Sequence, residues 1–292
     1  MGTIKIKNLT FKYNNMEKNI FNACNLNIDE HWKLGLIGRN GRGKTTFLRL
    51  LRGGLVYQGT IQTNLKFDYF PQVVATPQYS VKEVLQQLTK LDDSEFWRLE
   101  LELEKLKLPA AVLTMAFKNL SPGQQTKSLL AAIFVDRTAF QLIDEPTNHL
   151  DSWGRQVVSQ YLKTKQGFIL TSHDQNFIDQ SVDHILAIDR NKLQLFQGNY
   201  ATWQQEFAKQ NQTEKLEKQQ LNRQIKHLQQ NANEIHQWSE RAEKEKRKKF
   251  HQREEHADIN RGFLGHRAAK VMKRSNSNLK KLPQKLKKSS HC

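Results

Sequence analysis

The sequence predicts an α/β domain over residues 1–204 followed by a basic α-helical hairpin over residues 205–292. The first part has short apolar runs separated by glycine, as buried strands and turns have. The second part is rich in Lys, Gln, Glu and Asn, with widely spaced apolar residues. The net charge changes at the same place, from +5 in residues 1–204 to +12 in residues 205–292.

The composition excludes several classes of protein. Apolar residues make up 37% of the 292 residues, enough for a buried core, so the chain is not wholly disordered. Its two cysteines, Cys24 and Cys292, cannot form a disulfide framework and indicate a reducing compartment. The longest apolar run, residues 129–135, is far shorter than the ~20 residues of a membrane-spanning helix. The N-terminus alternates like a strand and has no signal-peptide core. We therefore expect a cytoplasmic protein with no transmembrane segment of its own.

The most informative segment is a glycine-rich loop between a predicted strand, residues 33–37, and a predicted helix. Residues 38–46 read Gly-Arg-Asn-Gly-Arg-Gly-Lys-Thr-Thr and fit the phosphate-binding pattern G-x-x-x-x-G-K-[ST]. Glycines let backbone N–H groups curl around a phosphate, and the helix start adds the positive end of its dipole. We expect Lys44 to reach the β- and γ-phosphates of a nucleotide, and the Thr45 hydroxyl to bind Mg²⁺. The residues predicted to bind the nucleotide here are Gly38, Asn40, Gly41, Gly43, Lys44, Thr45 and Thr46.

A second strand, residues 140–143, ends in the acidic pair Asp144 and Glu145. The carboxyl end of a parallel strand lies beside the phosphates in this kind of fold. We expect Asp144 to hold Mg²⁺ and Glu145 to polarise the attacking water. Alone, such a pair is more often a solvated turn, and the glycine-rich loop upstream is what favours catalysis. Gln141 interrupts this strand, and the sequence offers no functional reason for it.

These segments and three others resemble the motifs of ABC ATPases. Residues 120–125, Leu-Ser-Pro-Gly-Gln-Gln, resemble the signature motif, and residues 144–151, Asp-Glu-Pro-Thr-Asn-His-Leu-Asp, resemble the Walker B motif and D-loop. Residues 69–72 are similar to the Q-loop and residues 171–174 to the switch-histidine segment. The resemblance covers residues 1 to about 205. It implies a P-loop NTPase cassette with an antiparallel β-subdomain and a helical subdomain, and ATP and Mg²⁺ as cofactors.

The resemblance also implies roles for residues outside the glycine-rich loop. Gln72 would help to place the metal and the water, and His173 would contact the γ-phosphate, which makes both catalytic candidates beside Glu145. Gln72 would accordingly join Thr45 and Asp144 at the metal. Tyr13 has the place of the aromatic residue that stacks on adenine, with a core tyrosine of the β-subdomain as the alternative.

In the signature motif, Ser121 and Gly123 would cap the nucleotide of an opposing cassette. The motif departs from the family at Pro122, where a second glycine is usual, and at Gln124, where Glu is common. Proline removes one N–H group and keeps a turn, so we expect a weakened cap.

The pair Asn148-His149 is typical of the ABC-F class, and the Gly-Asn-Tyr turn at residues 198–200 also resembles that class. ABC-F proteins join two cassettes through a basic helical linker and act on ribosomes, in translation control or antibiotic resistance. The resemblance therefore implies the ribosome or its RNA (rRNA or tRNA) as a partner. It also implies a second cassette, supplied by a homodimer or by a missing C-terminal half. The alternative is the ATPase subunit of a membrane transporter.

The second part carries apolar residues at intervals of three and four, which predict a long helix over about residues 203–256. A turn at residues 258–262 and a shorter second helix would complete a hairpin. Basic residues concentrate near its tip, notably in residues 241–249, and this excess favours a nucleic-acid backbone as partner. The second arm is about half as long as the first, so we expect pairing with another copy or a longer parent protein. The seam is Leu221, Ile225, Leu228, Ala232, Ile235, Trp238 and Ala242.

Overall fold

The computed structural model describes residues 2–136 and 138–251, with side chains described as far as Glu245. The chain divides into two compact units between Glu206 and Phe207. The described strands are β1 (Thr3–Phe11), β2 (Phe21–Asp29), β3 (Lys33–Ile37), β4 (Gln58–Gln62), β5 (Lys66–Phe70), β6 (Ala139–Asp144), β7 (Phe168–Thr171), β8 (His184–Asp189) and β9 (Lys192–Gln197). The described α-helices are α1 (Lys44–Leu51), α2 (Val81–Thr89), α3 (Trp97–Lys105), α4 (Pro122–Ile133), α5 (Ser152–Lys163), α6 (Gln175–Ser181) and α7 (Tyr200–His251).

A six-stranded sheet forms the centre of the first unit, in the order β5-β6-β7-β3-β8-β9. All neighbouring pairs are parallel except β8 and β9, which form an antiparallel edge. Its four central strands are buried along most of their length, and all four residues of β7 are buried, as expected for strands covered on both faces. The carboxyl ends of β3, β6 and β7 lie at one edge, which brings the glycine-rich loop close to Asp144 and Thr171. The predicted α/β cassette is confirmed.

A three-stranded antiparallel sheet, β2-β1-β4, forms a second layer. Its strands alternate between buried and exposed residues because one face packs on the core and the other meets solvent. Ile6 of β1 stands opposite Leu26 of β2 and Ile61 of β4. The inward side chains pack in one cluster with Phe47 and Leu48 of α1, so this sheet buttresses the helix that follows the glycine-rich loop.

The helices between β5 and β6 form the predicted helical subdomain. Helix α2 begins at a capping box in which the Ser80 hydroxyl accepts from the Glu83 N–H and the Glu83 carboxylate accepts from the Ser80 N–H. In α3, Leu99 and Leu103 are buried, whereas Leu101 is 45% exposed. Leu101, two residues from each of two buried leucines, lies on the opposite face of the helix.

Helix α7 is one continuous helix from Tyr200 to His251. Its half-buried side chains in the second unit recur at intervals of three and four, which confirms most of the predicted seam. Trp238 is an error of prediction, since it is 55% exposed and Ser239 has the half-buried place. The predicted turn and second arm of the hairpin lie outside the described residues. No helix in the described part of the chain is both long enough and apolar enough to span a membrane.

Candidate functional site

The glycine-rich loop leaves β3 and enters α1 through two residues with left-handed backbone. Gly41 has φ +75° and Gly43, the N-cap of α1, has φ +103°, values that favour glycine. A Cβ on Gly41 would meet nothing within 4 Å, so the loop curves around open space. Lys44 Nζ donates to the Gly38 carbonyl at 3.1 Å, across the loop. The Thr45 side chain is exposed beside this space. This is the geometry that cradles a phosphate at a helix N-terminus.

Asp144 ends β6, and its neighbours in the sheet fix both of its carboxylate oxygens. Oδ1 accepts from the Thr171 hydroxyl at 2.6 Å, at the end of β7, and Oδ2 accepts from the Tyr69 hydroxyl at 3.0 Å, on β5. Burial, the Asp144 charge and this hydrogen bond raise the pKa of Tyr69 to about 12, so its hydroxyl stays a donor at neutral pH. Asp144 therefore has one orientation, towards the edge where the loop lies. Sequence reasoning assigned no role to Tyr69 or Thr171.

Glu145 follows in a left-handed turn, with φ +52°. Its Oε2 accepts from the His173 N–H at 3.2 Å. Its Oε1 lies 3.2 Å from His173 Nε2 without hydrogen-bond geometry and is otherwise unpartnered. Burial raises the pKa of Glu145, against the opposing charges of His173 and Lys44. A glutamate with a raised pKa is a stronger base, so the predicted pair of Glu145 and His173 is brought together in a form suited to accepting a proton.

Two buried oxygens at this edge test whether the residues fit a bound Mg²⁺ and nucleotide. Within the part of the chain that the structure describes, Gln72 Oε1 and Glu145 Oε1 are buried side-chain atoms with no hydrogen-bond partner. Amide, hydroxyl and carboxylate oxygens are the donors that Mg²⁺ takes, together with water and phosphate. Among the described residues, no group of three His, Cys, Asp or Glu side chains could hold a metal. A cation here would therefore depend on Thr45, Gln72, Asp144 and the phosphates, and this oxygen set fits Mg²⁺.

Tyr13 lies at the glycine-rich loop. Its hydroxyl is 3.1 Å from Thr46 Oγ1, and its ring packs edge-on against Phe11, with centroids 4.9 Å apart. The ring is only half-buried, so it combines features of both sequence interpretations, a residue of the β-subdomain and one beside the nucleotide. Stacking on adenine stays a prediction.

The signature residues lie at the start of α4. The Ser121 hydroxyl accepts from the Gln124 N–H at 3.2 Å, and Gln124 Oε1 accepts from the Ser121 N–H at 2.9 Å, a capping box. Pro122 occupies the first turn, where its missing N–H breaks no bond within the helix. A Cβ on Gly123 would lie 3.2 Å from the His149 carbonyl oxygen. Gln124 thus forms the helix capping box with Ser121 in place of the Glu that is common in the family.

Ser121 and Gly123 are not joined to the glycine-rich loop. In the described part of the chain, neither residue forms a hydrogen bond with residues 38–46, and Gly123 approaches residues 148–151 instead. An open cavity of about 560 Å³ lies between the signature turn and residues 148–154. The Lys127 ammonium sits 4.3 Å above the ring of Trp153 at this cavity. The arrangement leaves the signature turn accessible to a group from outside the cassette.

Comparison with known proteins agrees with this site. Residues 21–148 match a family model described as ABC transporter. The erythromycin resistance ATP-binding protein MsrA of Staphylococcus epidermidis is 31% identical to this chain, and the alignment covers 72% of this chain and 40% of MsrA. The ribosome protection protein VmlR of Bacillus subtilis is 30% identical, and that alignment covers 81% of this chain and 41% of VmlR. The energy-dependent translational throttle protein EttA of Mycobacterium tuberculosis is 28% identical, over 60% of this chain and 39% of that protein. The chain thus spans about two fifths of the length of these curated relatives.

Solved structures show the same fold. The structure of an inward-facing metal-chelate type ABC transporter superposes on this chain with a TM-score of 0.59 and 23% identity, over 68% of this chain and 84% of the transporter chain. The structure of an ATP-binding cassette in a post-hydrolysis state with ADP and Pi superposes with a TM-score of 0.57 and 21% identity, over 66% of this chain and 98% of the cassette chain. The chain therefore contains an ABC ATPase domain, and its curated relatives are ABC-F proteins.

Proposed function

We propose that this chain binds and hydrolyses ATP and that it acts on the ribosome, in antibiotic resistance or in translation control. The contact between Glu145 and His173, within electrostatic reach of Lys44, is the observation that carries the chemistry. It places a base, a polar partner and a phosphate-binding cation at one edge of the sheet.

Each of these residues has a distinct task in hydrolysis. The Lys44 ammonium exchanges the Gly38 carbonyl for phosphate oxygens, and Thr46 and the loop N–H groups hold the nucleotide. Glu145 accepts a proton from the attacking water, and His173 orients both the carboxylate and the γ-phosphate. Thr45, Gln72 and Asp144 would hold Mg²⁺, which supplies charge neutralisation of the phosphates when bound.

Two observations support a role on the ribosome: the names of the curated relatives and the positive charge of the appendage. Two of the relatives are named for ribosome protection and for a translational throttle. Residues 207–245, whose side chains the structure describes, contain seven Lys and Arg and six Glu, so the charge there is nearly balanced. Fifteen Lys and Arg against three acidic residues follow in residues 246–292. The basic residues that would contact RNA are accordingly those of residues 246–292.

The ATPase subunit of a membrane transporter is the second candidate. It is favoured by the description of the family model and by the fold shared with a transporter. The pair Asn148-His149 and the basic appendage favour the ribosome. The two candidates differ in where the protein is found, in the ribosomal fraction or in the membrane fraction.

Fractionation of cells that make the full chain separates the two functions. We expect the chain to sediment with ribosomes at low salt and to be released as salt rises. Replacing Lys246, Arg247, Lys248 and Lys249 with Gln should reduce this association, and the same change at Lys209, Lys215, Lys218 and Lys226 serves as the matched control. Circular dichroism and ATP binding should be equal for all three proteins. A chain that follows membranes, or a variant that binds ribosomes like its parent, would contradict the proposal.

A further inference from the structure

The positive charge of the first unit is concentrated in its first 65 residues. Residues 2–65 contain ten Lys and Arg against three Asp and Glu, a net charge of +7. Residues 66–204 contain fourteen Lys and Arg against sixteen Asp and Glu, a net charge of −2. The nucleotide site explains only part of this asymmetry, because only three of the ten basic residues lie in the glycine-rich loop: Arg39, Arg42 and Lys44.

The basic residues of this region also differ in their partners. In the described part of the chain, ion pairs to carboxylates involve Lys and Arg from position 66 onward, as in the pairs of Lys66 with Asp136 and Arg155 with Asp174. None of the ten Lys and Arg of residues 2–65 forms such a pair within the described residues. Within the described residues no carboxylate lies at ion-pair distance from these ten side chains, and their net positive charge creates a field that attracts polyanions.

Two of these lysines lie on the outer face of the three-stranded sheet. Lys5 and Lys7 are exposed on β1, the central strand of the three-stranded sheet. Lys5 stands opposite Asn27 of β2 and Gln62 of β4, and Lys7 stands opposite Thr60 of β4. All five side chains are exposed on the face turned away from the core. We call these five residues the lysine face.

We propose that the lysine face binds the phosphate backbone of RNA, as a contact separate from the basic appendage. This inference rests on the proposed ribosomal function. Lysine ammonium groups neutralise phosphates, and amide and hydroxyl groups such as those of Asn27, Gln62 and Thr60 donate hydrogen bonds to phosphate and sugar oxygens. Strands β1, β2 and β4 expose no aromatic side chain on which a single base could stack, so the face favours the backbone of a duplex over unpaired bases.

An anionic membrane surface would also attract the two lysines, but the lysine face lacks the apolar side chains of a membrane-binding surface. Peripheral proteins that bind lipid combine basic residues with large apolar groups that enter the headgroup region. Strands β1, β2 and β4 expose no large hydrophobic side chain. The face therefore favours a polar, hydrogen-bonding partner.

The test compares three full-length variants with the parent chain. Lys5→Gln/Lys7→Gln removes the two charges, and Lys5→Arg/Lys7→Arg keeps them. Lys118→Gln/Lys163→Gln removes two exposed charges elsewhere in the same unit and serves as the matched control. Binding to a 16-base-pair RNA duplex is measured by fluorescence anisotropy across a salt series, and binding to purified ribosomes is measured by co-sedimentation.

We expect Lys5→Gln/Lys7→Gln to weaken duplex binding roughly tenfold at low salt and to reduce the slope of log K against log salt by about two. The arginine variant and the control pair should behave like the parent, and ATP binding should not change, since neither Lys5 nor Lys7 belongs to the predicted nucleotide-binding residues. Equal duplex binding by the parent and Lys5→Gln/Lys7→Gln would overturn the inference. An equal loss in the control pair, or binding to anionic vesicles in place of RNA, would do the same.

The two measurements also separate this inference from the proposed function. A parent chain that binds ribosomes through residues other than Lys5 and Lys7 keeps the function and refutes the lysine face. A parent chain that binds the duplex through these lysines, yet stays out of the ribosomal fraction, supports the lysine face and contradicts the function.

Discussion

Glu145 carries several features that cost free energy. Its backbone is in the left-handed region, its carboxylate is partly removed from water, and Asp144 precedes it with the same charge. Because burial outweighs the attraction of His173 and Lys44, its pKa is raised. Costs of this kind persist where a group must accept a proton, as expected of the base in hydrolysis.

Replacing this base separates binding from chemistry. We expect Glu145→Gln to bind ATP like the parent while hydrolysis falls by roughly 10²-fold or more, because the amide cannot accept the proton from water. The variant should also melt a few degrees higher, since it removes a charge whose burial is unfavourable. Lys44→Ala is the contrasting variant and should weaken ATP binding itself. Unchanged turnover in nucleotide-competent Glu145→Gln protein would exclude Glu145 as the base.

The raised pKa of Glu145 sets the acid side of the activity profile. The carboxylate must be ionised to act, so hydrolysis should decline on acidification with a midpoint above 4.5, the ordinary value for glutamate. The folded chain holds this proton more tightly than the unfolded chain, so the contribution of Glu145 to stability decreases as pH rises from 4.5 through the folded-state pKa. A kcat profile at saturating ATP measures the midpoint. A midpoint at or below 4.5 would show that burial does not control this group.

At the scale of elements, Gln141 joins α4 to β6. It is 2% exposed, and its Nε2 donates to the Ile133 carbonyl at 2.7 Å and to the Asp136 carbonyl at 3.3 Å. These carbonyls lie at and just beyond the end of α4, where helix carbonyls have no partner within the helix. The polar interruption of an apolar strand is therefore a helix C-terminal cap supplied from the sheet.

This cap predicts a purely structural loss. Gln141→Leu should destabilise the first unit by about 1–3 kcal/mol, because two buried carbonyls lose their donor. ATP affinity should stay within twofold of the parent value, since the change is confined to the α4–β6 junction. Gln160→Leu, on the exposed side of α5, is the control and should leave the melting temperature nearly unchanged. Equal thermal stability of the Gln141→Leu chain and its parent would contradict the capping role.

The sequence predicted those elements whose evidence is local. The strand–loop–helix from β3 to α1 and the acidic end of β6 follow from glycines, apolar runs and one Asp-Glu pair in a short window. Partners from neighbouring strands could not be predicted in this way. The donors to Asp144 come from Tyr69 and Thr171, 75 and 27 residues away, and only the strand order places them beside it.

Periodicity also has a limit, as Trp238 shows. Its place three residues after Ile235 and four before Ala242 puts it in the predicted seam, yet it is 55% exposed. One residue of displacement turns a helical side chain by 100°, so Ser239 takes the half-buried place that Trp238 was expected to fill. Apolar character alone therefore does not fix the face of a helix.

At the scale of the whole molecule, the signature turn is the surface that a second cassette would meet. Ser121 bonds within its own helix, Gly123 approaches His149 and Leu150, and the cavity beside them is open. If they cap a nucleotide held by another cassette, hydrolysis by the isolated chain should rise more than linearly with its concentration. Turnover measured over a dilution series that spans the monomer–dimer transition checks this. A specific activity independent of dilution would contradict the shared site.

The central claim, that this chain binds ATP and acts on the ribosome, leads us to expect that bound ATP controls the association. The most direct measurement is co-sedimentation of the Glu145→Gln chain with purified ribosomes in the presence of Mg²⁺ and ATP, ADP or no nucleotide. Because this variant keeps ATP without hydrolysing it, we predict the largest ribosome-bound fraction with ATP, and little with ADP or without nucleotide. Lys44→Ala, which should bind ATP more weakly, should show a smaller nucleotide effect at the same ATP concentration. Equal bound fractions of the Glu145→Gln chain under all three conditions would contradict the claim.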